Sequence, residues 1–220
     1  MAAAPDRVAV SPEGAAAAFY YLADSRILLV SGLPGAPALS AEIQLTHSRR
    51  PFREIAVSDD GKLALAIEDG AAVAMGSPGD LNRISLRTPV GAAAFARNGH
   101  DAVLAGGSQA VLIRNVEVPG QRIVLATDGL EGISAAAVSR DGRSAYLASA
   151  RSRKVAVVSL DGSGPAVTLE CPCSPNRLIR LNDESSYRLT EYSGESLYVL
   201  DGAATPPRIV VAPPPLEQDK

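Results

Sequence analysis

At 220 residues, 46% of them apolar, the chain is long enough to bury a sizeable core in one all-β domain. Aromatic residues make up only 4% and Trp is absent, so that core must be built from Ala, Val, Leu and Ile. A formal net charge of -3 and a pI near 5.5 provide no basic field of the kind that drives nucleic-acid binding. No apolar run approaches the roughly 18–20 residues of a membrane-spanning helix.

In chain order, the residues predict short strands punctuated by 19 Gly and 16 Pro, with no sustained helical period. The first group is Val8–Val10, Ala16–Leu22, Ile27–Val30 and Glu42–Leu45. The second is Ile55–Ser58, Leu63–Ile67, Ala71–Met75 and Arg83–Leu86. The third is Ala93–Ala96, Ala102–Ala105, Ala110–Ile113 and Arg122–Leu125. The fourth is Ala135–Ser139, Ser144–Ala148, Lys154–Leu160 and Ala166–Leu169. The fifth is Ile179–Leu181, Tyr187–Thr190, Leu197–Leu200 and Arg208–Val211. Asp-Gly pairs between the strands supply the positive φ of tight hairpins.

A five-residue phrase organises these groups. Val10-Ser11-Pro12-Glu13-Gly14 returns as Val57-Ser58-Asp59-Asp60-Gly61, Phe95-Ala96-Arg97-Asn98-Gly99 and Val138-Ser139-Arg140-Asp141-Gly142, and in altered form as Leu181-Asn182-Asp183-Glu184-Ser185. Its last position recurs at intervals of 47, 38, 43 and 43 residues. A period near 40–45 residues is that of a four-stranded propeller blade. Just ahead of the phrase lies a column of Ala9, Ala56, Ala94, Ala137 and then Arg180. Small side chains suit strands crowded around a common axis. The reading is an all-β, five-bladed β-propeller with blades at about 7–46, 54–88, 92–127, 135–169 and 178–212, followed by a Pro-rich, charged tail at 213–220. Every blade is contiguous in sequence, so no strand is left to clasp the ends together. The expectation is therefore either a loosely closed five-bladed ring or a partial arc that exposes apolar blade faces and self-associates, with Arg180 paired to a carboxylate in the closed case.

The stretch Val138-Ser139-Arg140-Asp141-Gly142-Arg143-Ser144-Ala145-Tyr146-Leu147-Ala148, followed by Lys154-Val155-Ala156-Val157-Val158-Ser159-Leu160-Asp161, resembles repeats of the YVTN/WD40-like propeller superfamily. The Trp-Asp dipeptide of true WD40 repeats is missing. The resemblance implies a fold shared by interaction modules, lactonases and quinone-dependent dehydrogenases, and no catalytic motif of those enzymes matches here position by position.

Function is therefore sought in the loops. The longer connections fall on one face, the top, and the Asp-Gly-type hairpins on the other. His47, Arg49, Arg50, Arg53, Arg151, Arg153 and Lys154 are the candidate top-face residues for a small anionic ligand or a protein partner. Cys171 and Cys173, separated by Pro172, read as two loop thiols, a local disulfide or redox pair, or a metal or covalent site. His47 and His100 lie on opposite faces, so a shared metal or His-based centre is not expected, and no cofactor is called for. The Asp-Gly pairs lack the Asp-x-Asp-x-Asp spacing of a calcium loop. The leading functional reading is a non-catalytic interaction or ligand-binding module. The alternatives are a lactonase- or dehydrogenase-type propeller enzyme and a fragment of a larger propeller. Residues 1–7 do not read as a signal peptide, which predicts a cytoplasmic protein as given and an exported one if the sequence is cut from a longer chain.

Overall fold

The computed structural model describes residues 4–45, 52–77, 79–118, 120–181, 185–190 and 196–214. They form five four-stranded antiparallel sheets, each a meander with its strands in sequence order. Blade 1 is β1 (Arg7–Val10), β2 (Ala16–Tyr21), β3 (Arg26–Ser31) and β4 (Ala38–Gln44). Blade 2 is β5 (Ile55–Val57), β6 (Leu63–Glu68), β7 (Ala71–Gly76) and β8 (Gly79–Ile84). Blade 3 is β9 (Ala92–Phe95), β10 (Ala102–Gly106), β11 (Gln109–Ile113) and β12 (Arg122–Leu125). Blade 4 is β13 (Ala135–Val138), β14 (Ser144–Ser149), β15 (Lys154–Ser159) and β16 (Val167–Glu170). Blade 5 is β17 (Ile179–Arg180), β18 (Ser186–Arg188), β19 (Leu197–Asp201) and β20 (Arg208–Ala212).

Two outer strands start earlier than the sequence predicts. β4 begins at Ala38 rather than Glu42, and β8 at Gly79 rather than Arg83. Both contain a register shift, opposite Leu29/Val30 and Ala74/Met75. A bulge carries the ladder past residues whose alternation breaks. At the first bulge, the Ser40 hydroxyl donates to the Leu29 carbonyl at 2.9 Å and to the Gly61 carbonyl of the next blade at 2.6 Å.

The repeated phrase is a hydrogen-bonded hairpin. In blades 2 and 4 the Ser hydroxyl donates to the Asp two residues on (Ser58 to Asp60, 2.7 Å; Ser139 to Asp141, 2.6 Å) and accepts from the backbone N–H that opens the next strand (Leu63, 3.0 Å; Ser144, 2.9 Å). The hydrogen bond from Ser139 helps to hold the Asp141 carboxyl below its ordinary pKa. Gly61 and Gly142 then turn at φ 67 and 68, where a side chain would be strained. In blade 3 the positive φ falls one residue earlier, on Asn98, and in blade 5 it falls on Ser185.

Packing between blades is apolar and serial. One core joins blades 1 and 2 around Tyr20, Ile27, Phe52 and Val57. A second joins blades 2 and 3 around Leu65, Ile67, Phe95 and Leu104. A third joins blades 3 and 4 around Leu112, Leu125, Leu147 and Val158. A fourth joins blades 4 and 5 around Tyr146, Val155, Tyr187 and Leu200. Among the described residues no such core joins blade 5 to blade 1. The inner-strand alanines fit this plan: each packs on or within the core of a neighbouring blade.

On the hairpin face, polar bonds link all five blades. The Asp59 carboxylate of blade 2 accepts the Glu13 N–H of blade 1 at 2.7 Å and the Asn98 N–H of blade 3 at 2.9 Å. Arg97 of blade 3 pairs with Glu13 at 2.8 Å and donates to the Arg140 carbonyl of blade 4 at 3.4 Å. The Arg140 N–H donates to Ser185 of blade 5 at 3.1 Å. Arg180 of blade 5 donates to the Pro12 carbonyl of blade 1, to the Val138 carbonyl at 3.4 Å and to the Tyr187 hydroxyl at 3.2 Å, with its guanidinium 5.6 Å from that ring. The expected carboxylate partner for Arg180 is thus replaced by two carbonyls and an aromatic ring. The seam between blades 5 and 1 is bridged by polar groups on the hairpin face.

Candidate functional site

The inner strands of all five blades wall a central cavity of about 1100 Å³. Its top mouth is set by the residues that lead into those strands. Strand pairing shifts blade 5 by one residue from the sequence alignment, so that Arg180, rather than Leu181, stands level with Val10, Val57, Phe95 and Val138. Four positions ahead of that level stand Asp6, Arg53, Gly91, Ser134 and Asn176, and three ahead stand Arg7, Glu54, Ala92, Ala135 and Arg177. Charge is therefore confined to blades 1, 2 and 5, while blades 3 and 4 contribute small or apolar residues at the same level.

Glu54 is the electrostatic centre of the mouth. Burial in the cavity wall pushes its carboxyl up to about 7, although Arg177, Arg53 and Arg7 pull the other way and the Ala93 N–H donates to it. The three arginines come from blades 5, 2 and 1, and all three are exposed. A carboxyl able to change charge near neutrality therefore sits among three permanent cations in a concave site. Such a mouth can hold an anion, and it can also exchange a proton.

Of the sequence-predicted site residues, Arg53 lines this mouth. His47, Arg49 and Arg50 lie outside the described residues. Arg151, Arg153 and Lys154 stand apart from the cavity on top of blade 4, and each is engaged there. Arg151 pairs with Glu131 at 3.5 Å and Lys154 with Glu170 at 3.0 Å. Arg153, at φ 54, donates through Nε to the Cys173 carbonyl at 3.4 Å. Sequence reading missed Arg7, Glu54 and Arg177. Their signal lies in the repeat alignment, as two columns whose charged residues all come from blades 1, 2 and 5.

Cys171 and Cys173 form a disulfide, with Cα atoms 5.0 Å apart, and both are buried in the core between blades 4 and 5. His100, on the hairpin face, contacts Glu117 through Nδ1 at 2.9 Å and Asp60 through Nε2 at 3.1 Å. It therefore ties blade 2 to blade 3. Among the described residues no group of three or more His, Cys, Asp or Glu is arranged to hold a metal ion.

No family model matches the sequence, and none of the curated proteins matches it either. Solved structures do match. The β-propeller domain of Cps50 (Swd1) from Myceliophteria thermophila aligns with a TM-score of 0.69 at 14% identity, over 96% of this chain and 72% of that one. The chain is a β-propeller. A functionally unknown protein from Desulfotomaculum acetoxidans DSM 771 aligns with a TM-score of 0.63 at 10% identity, over 88% of this propeller and 64% of that chain. Hydrazine synthase of Kuenenia stuttgartiensis aligns with a TM-score of 0.60 at 12% identity, over 95% and 66% respectively. The propeller thus spans about two thirds of the length of these structures. At such identities the likeness concerns the fold alone.

Proposed function

We propose that this propeller is a non-catalytic binding module that takes a small anionic ligand at the top mouth of its central cavity. The observation that carries the reading is the placement of Arg7, Arg53 and Arg177, from three blades, around Glu54 at the rim of a 1100 Å³ cavity. Guanidinium groups suit oxyanions because their planar forks match carboxylate, sulfonate and phosphate oxygens. Glu54 and Asp6 offset part of that charge. Methanesulfonate is a suitable probe, since it stays anionic at any working pH. Amide NMR should show saturable shifts clustered at residues 53–54, 92–93 and 177, weakened in Arg53→Gln and Arg177→Gln. Shifts that never saturate, or that both variants leave unchanged, would refute the reading.

A second reading rests on Glu54 itself. A carboxyl with a pKa of about 7 in a cavity has the property required of a general base, which supports the propeller-enzyme alternative. Turnover of lactone or ester substrates that Glu54→Gln abolishes would favour it over the binding module. The Cys171–Cys173 disulfide supports an oxidising compartment, and hence the exported alternative.

A further inference from the structure

The strongest asymmetry in the cavity lies in its wall. The hydrophobic residue that opens the repeated phrase is buried in the three middle blades, with Val57 1%, Phe95 1% and Val138 3% exposed. In blade 1 the same position, Val10, is 62% exposed; in blade 5 strand pairing puts Arg180 there, and Leu181 beside it is 48% exposed. Two positions earlier, Val8 and Ile179 are exposed as well. All four line the central cavity, on or next to the inner strands of the two blades that, among the described residues, no apolar core joins. Blades 3 and 4 line the cavity mostly with alanine (Ala93, Ala94, Ala135, Ala136 and Ala137), and their Phe95 and Val138 are almost wholly buried. Large apolar groups left in water on one side of a cavity forgo the free energy that burial would give them. A chain laid along them recovers that energy.

The same two blades carry Arg7 and Arg177 at the mouth directly above this wall. The wall thus has a cationic top and an apolar length. From Arg7 to Val10 β1 rises about 10 Å, a length that an extended alkyl chain can follow. At the far end the guanidinium of Arg180 is already bonded to the Pro12 and Val138 carbonyls and to Tyr187. It does not compete with the mouth for an acidic head. Apolar wall, cationic rim and occupied floor together define one polarity for the occupant.

We infer that the cavity takes an amphiphilic anion, with its acidic head at the arginine mouth and one alkyl chain along Val8, Val10, Ile179 and Leu181. This rests on the anion reading above and adds the apolar half of the ligand. The rival occupant of the wall is a second copy of the chain, whose own seam would cover the exposed residues.

The test compares octanesulfonate with methanesulfonate on the full chain by calorimetry, with sedimentation equilibrium alongside. Each buried methylene multiplies affinity roughly three- to fourfold. An octyl chain half-covered by the wall should therefore bind on the order of 100-fold more tightly than the methyl analogue. The double variant Val10→Thr/Leu181→Asn should lose most of that gain while leaving methanesulfonate affinity unchanged. The milder Val8→Thr, similar in shape to the native residue, should lose a smaller part and guards against misfolding of the first variant. Equal affinities for the two sulfonates, or a chain-length gain that survives all the wall substitutions, would overturn the inference while sparing the anion reading. Failure of both sulfonates to bind would overturn the anion reading and this one with it. A stable dimer that octanesulfonate does not dissociate would assign the wall to a second copy instead.

Discussion

Replacing Glu54 with Gln is the sharpest perturbation of the cavity. The folded-state pKa is about 7, against an ordinary value of 4.5. Between those limits the unfolded chain releases the proton and the folded chain keeps it. The native state then binds more protons, so stability falls as pH rises through this window. A pKa displaced this far corresponds to about 3 kcal/mol of lost stability once the pH exceeds 7. Gln keeps an oxygen to accept the Ala93 N–H but carries no charge. Wild type and Glu54→Gln should therefore be equally stable near pH 4, where the carboxyl is neutral in both states. They should diverge above 4.5 and level off above 7, with the variant ahead by up to about 3 kcal/mol. For a chain of this size that is roughly 6–12 °C in Tm. Urea unfolding measured across the pH range is the assay. A variant no more stable than wild type at pH 8, or a difference that does not change with pH, would refute the placement of Glu54 as a half-buried carboxyl whose desolvation outweighs three arginines. The same logic applies to binding: methanesulfonate affinity should rise as pH falls through 7 in wild type and stay flat in Glu54→Gln.

Asp59→Ala should destabilise by about 2–4 kcal/mol, since two backbone N–H groups from two other blades lose a charged acceptor; a urea midpoint unchanged from wild type would show that water replaces it fully. Burial opposes the charge on His100, but hydrogen bonds to Glu117 and Asp60 and the attraction of those two carboxylates outweigh it and raise its pKa. Its contribution is complete below about 6.5 and is lost as pH rises through the raised folded value. The stability advantage of wild type over His100→Gln should accordingly shrink as pH rises above about 6.5, and an advantage constant with pH would contradict the clamp. Native thiol titration should find no free thiol, and reduction should cost only about 1.5 kcal/mol, because the disulfide closes a loop of separation 2 and restricts the unfolded chain little; a loss above about 4 kcal/mol would show that it also props the core between blades 4 and 5.

The fold was legible because each recurring residue has one local physical task. Ser58 and Ser139 bridge their hairpins, Gly61 and Gly142 adopt a conformation that strains other residues, and the inner-strand alanines fit between blades. These tasks repeat, so they show as a period. What did not repeat was harder to read. The third position of the phrase holds Pro12, Asp59, Arg97 and Arg140, which look like turn variability, yet they supply the bonds between hairpins of different blades. Their identities differ because each meets a different neighbour. The cavity mouth was obscured for a related reason. Arg7, Glu54 and Arg177 are distant in sequence, and a repeat-averaged view removes the very positions at which the blades depart from one another. Blade 5 was misaligned by one residue: the pairing puts Ile179 at the level of the alanines and Arg180 at that of Val138, and Arg180 still marks the seam through backbone carbonyls that no sequence pattern reveals.

The four inter-blade cores make a linear series rather than a circle. Blades 2, 3 and 4 are each clamped from two sides, and blades 1 and 5 from one. Local opening in such a series begins at the free ends and moves inward. The most exchange-resistant amides should accordingly belong to β6, β7 and β10, whose residues are almost wholly buried, and the least protected to β1 and β17. The seam bond between Arg180 and Pro12 lies on the hairpin face, so it acts as a hinge pin at one end of the gap. Thermal breathing about that pin would spread blades 1 and 5 mainly at the top, where Arg7 and Arg177 stand. The weakest joint between blades thereby doubles as an adjustable aperture, and a guest held by blades 1 and 5 would draw them together as it fills it.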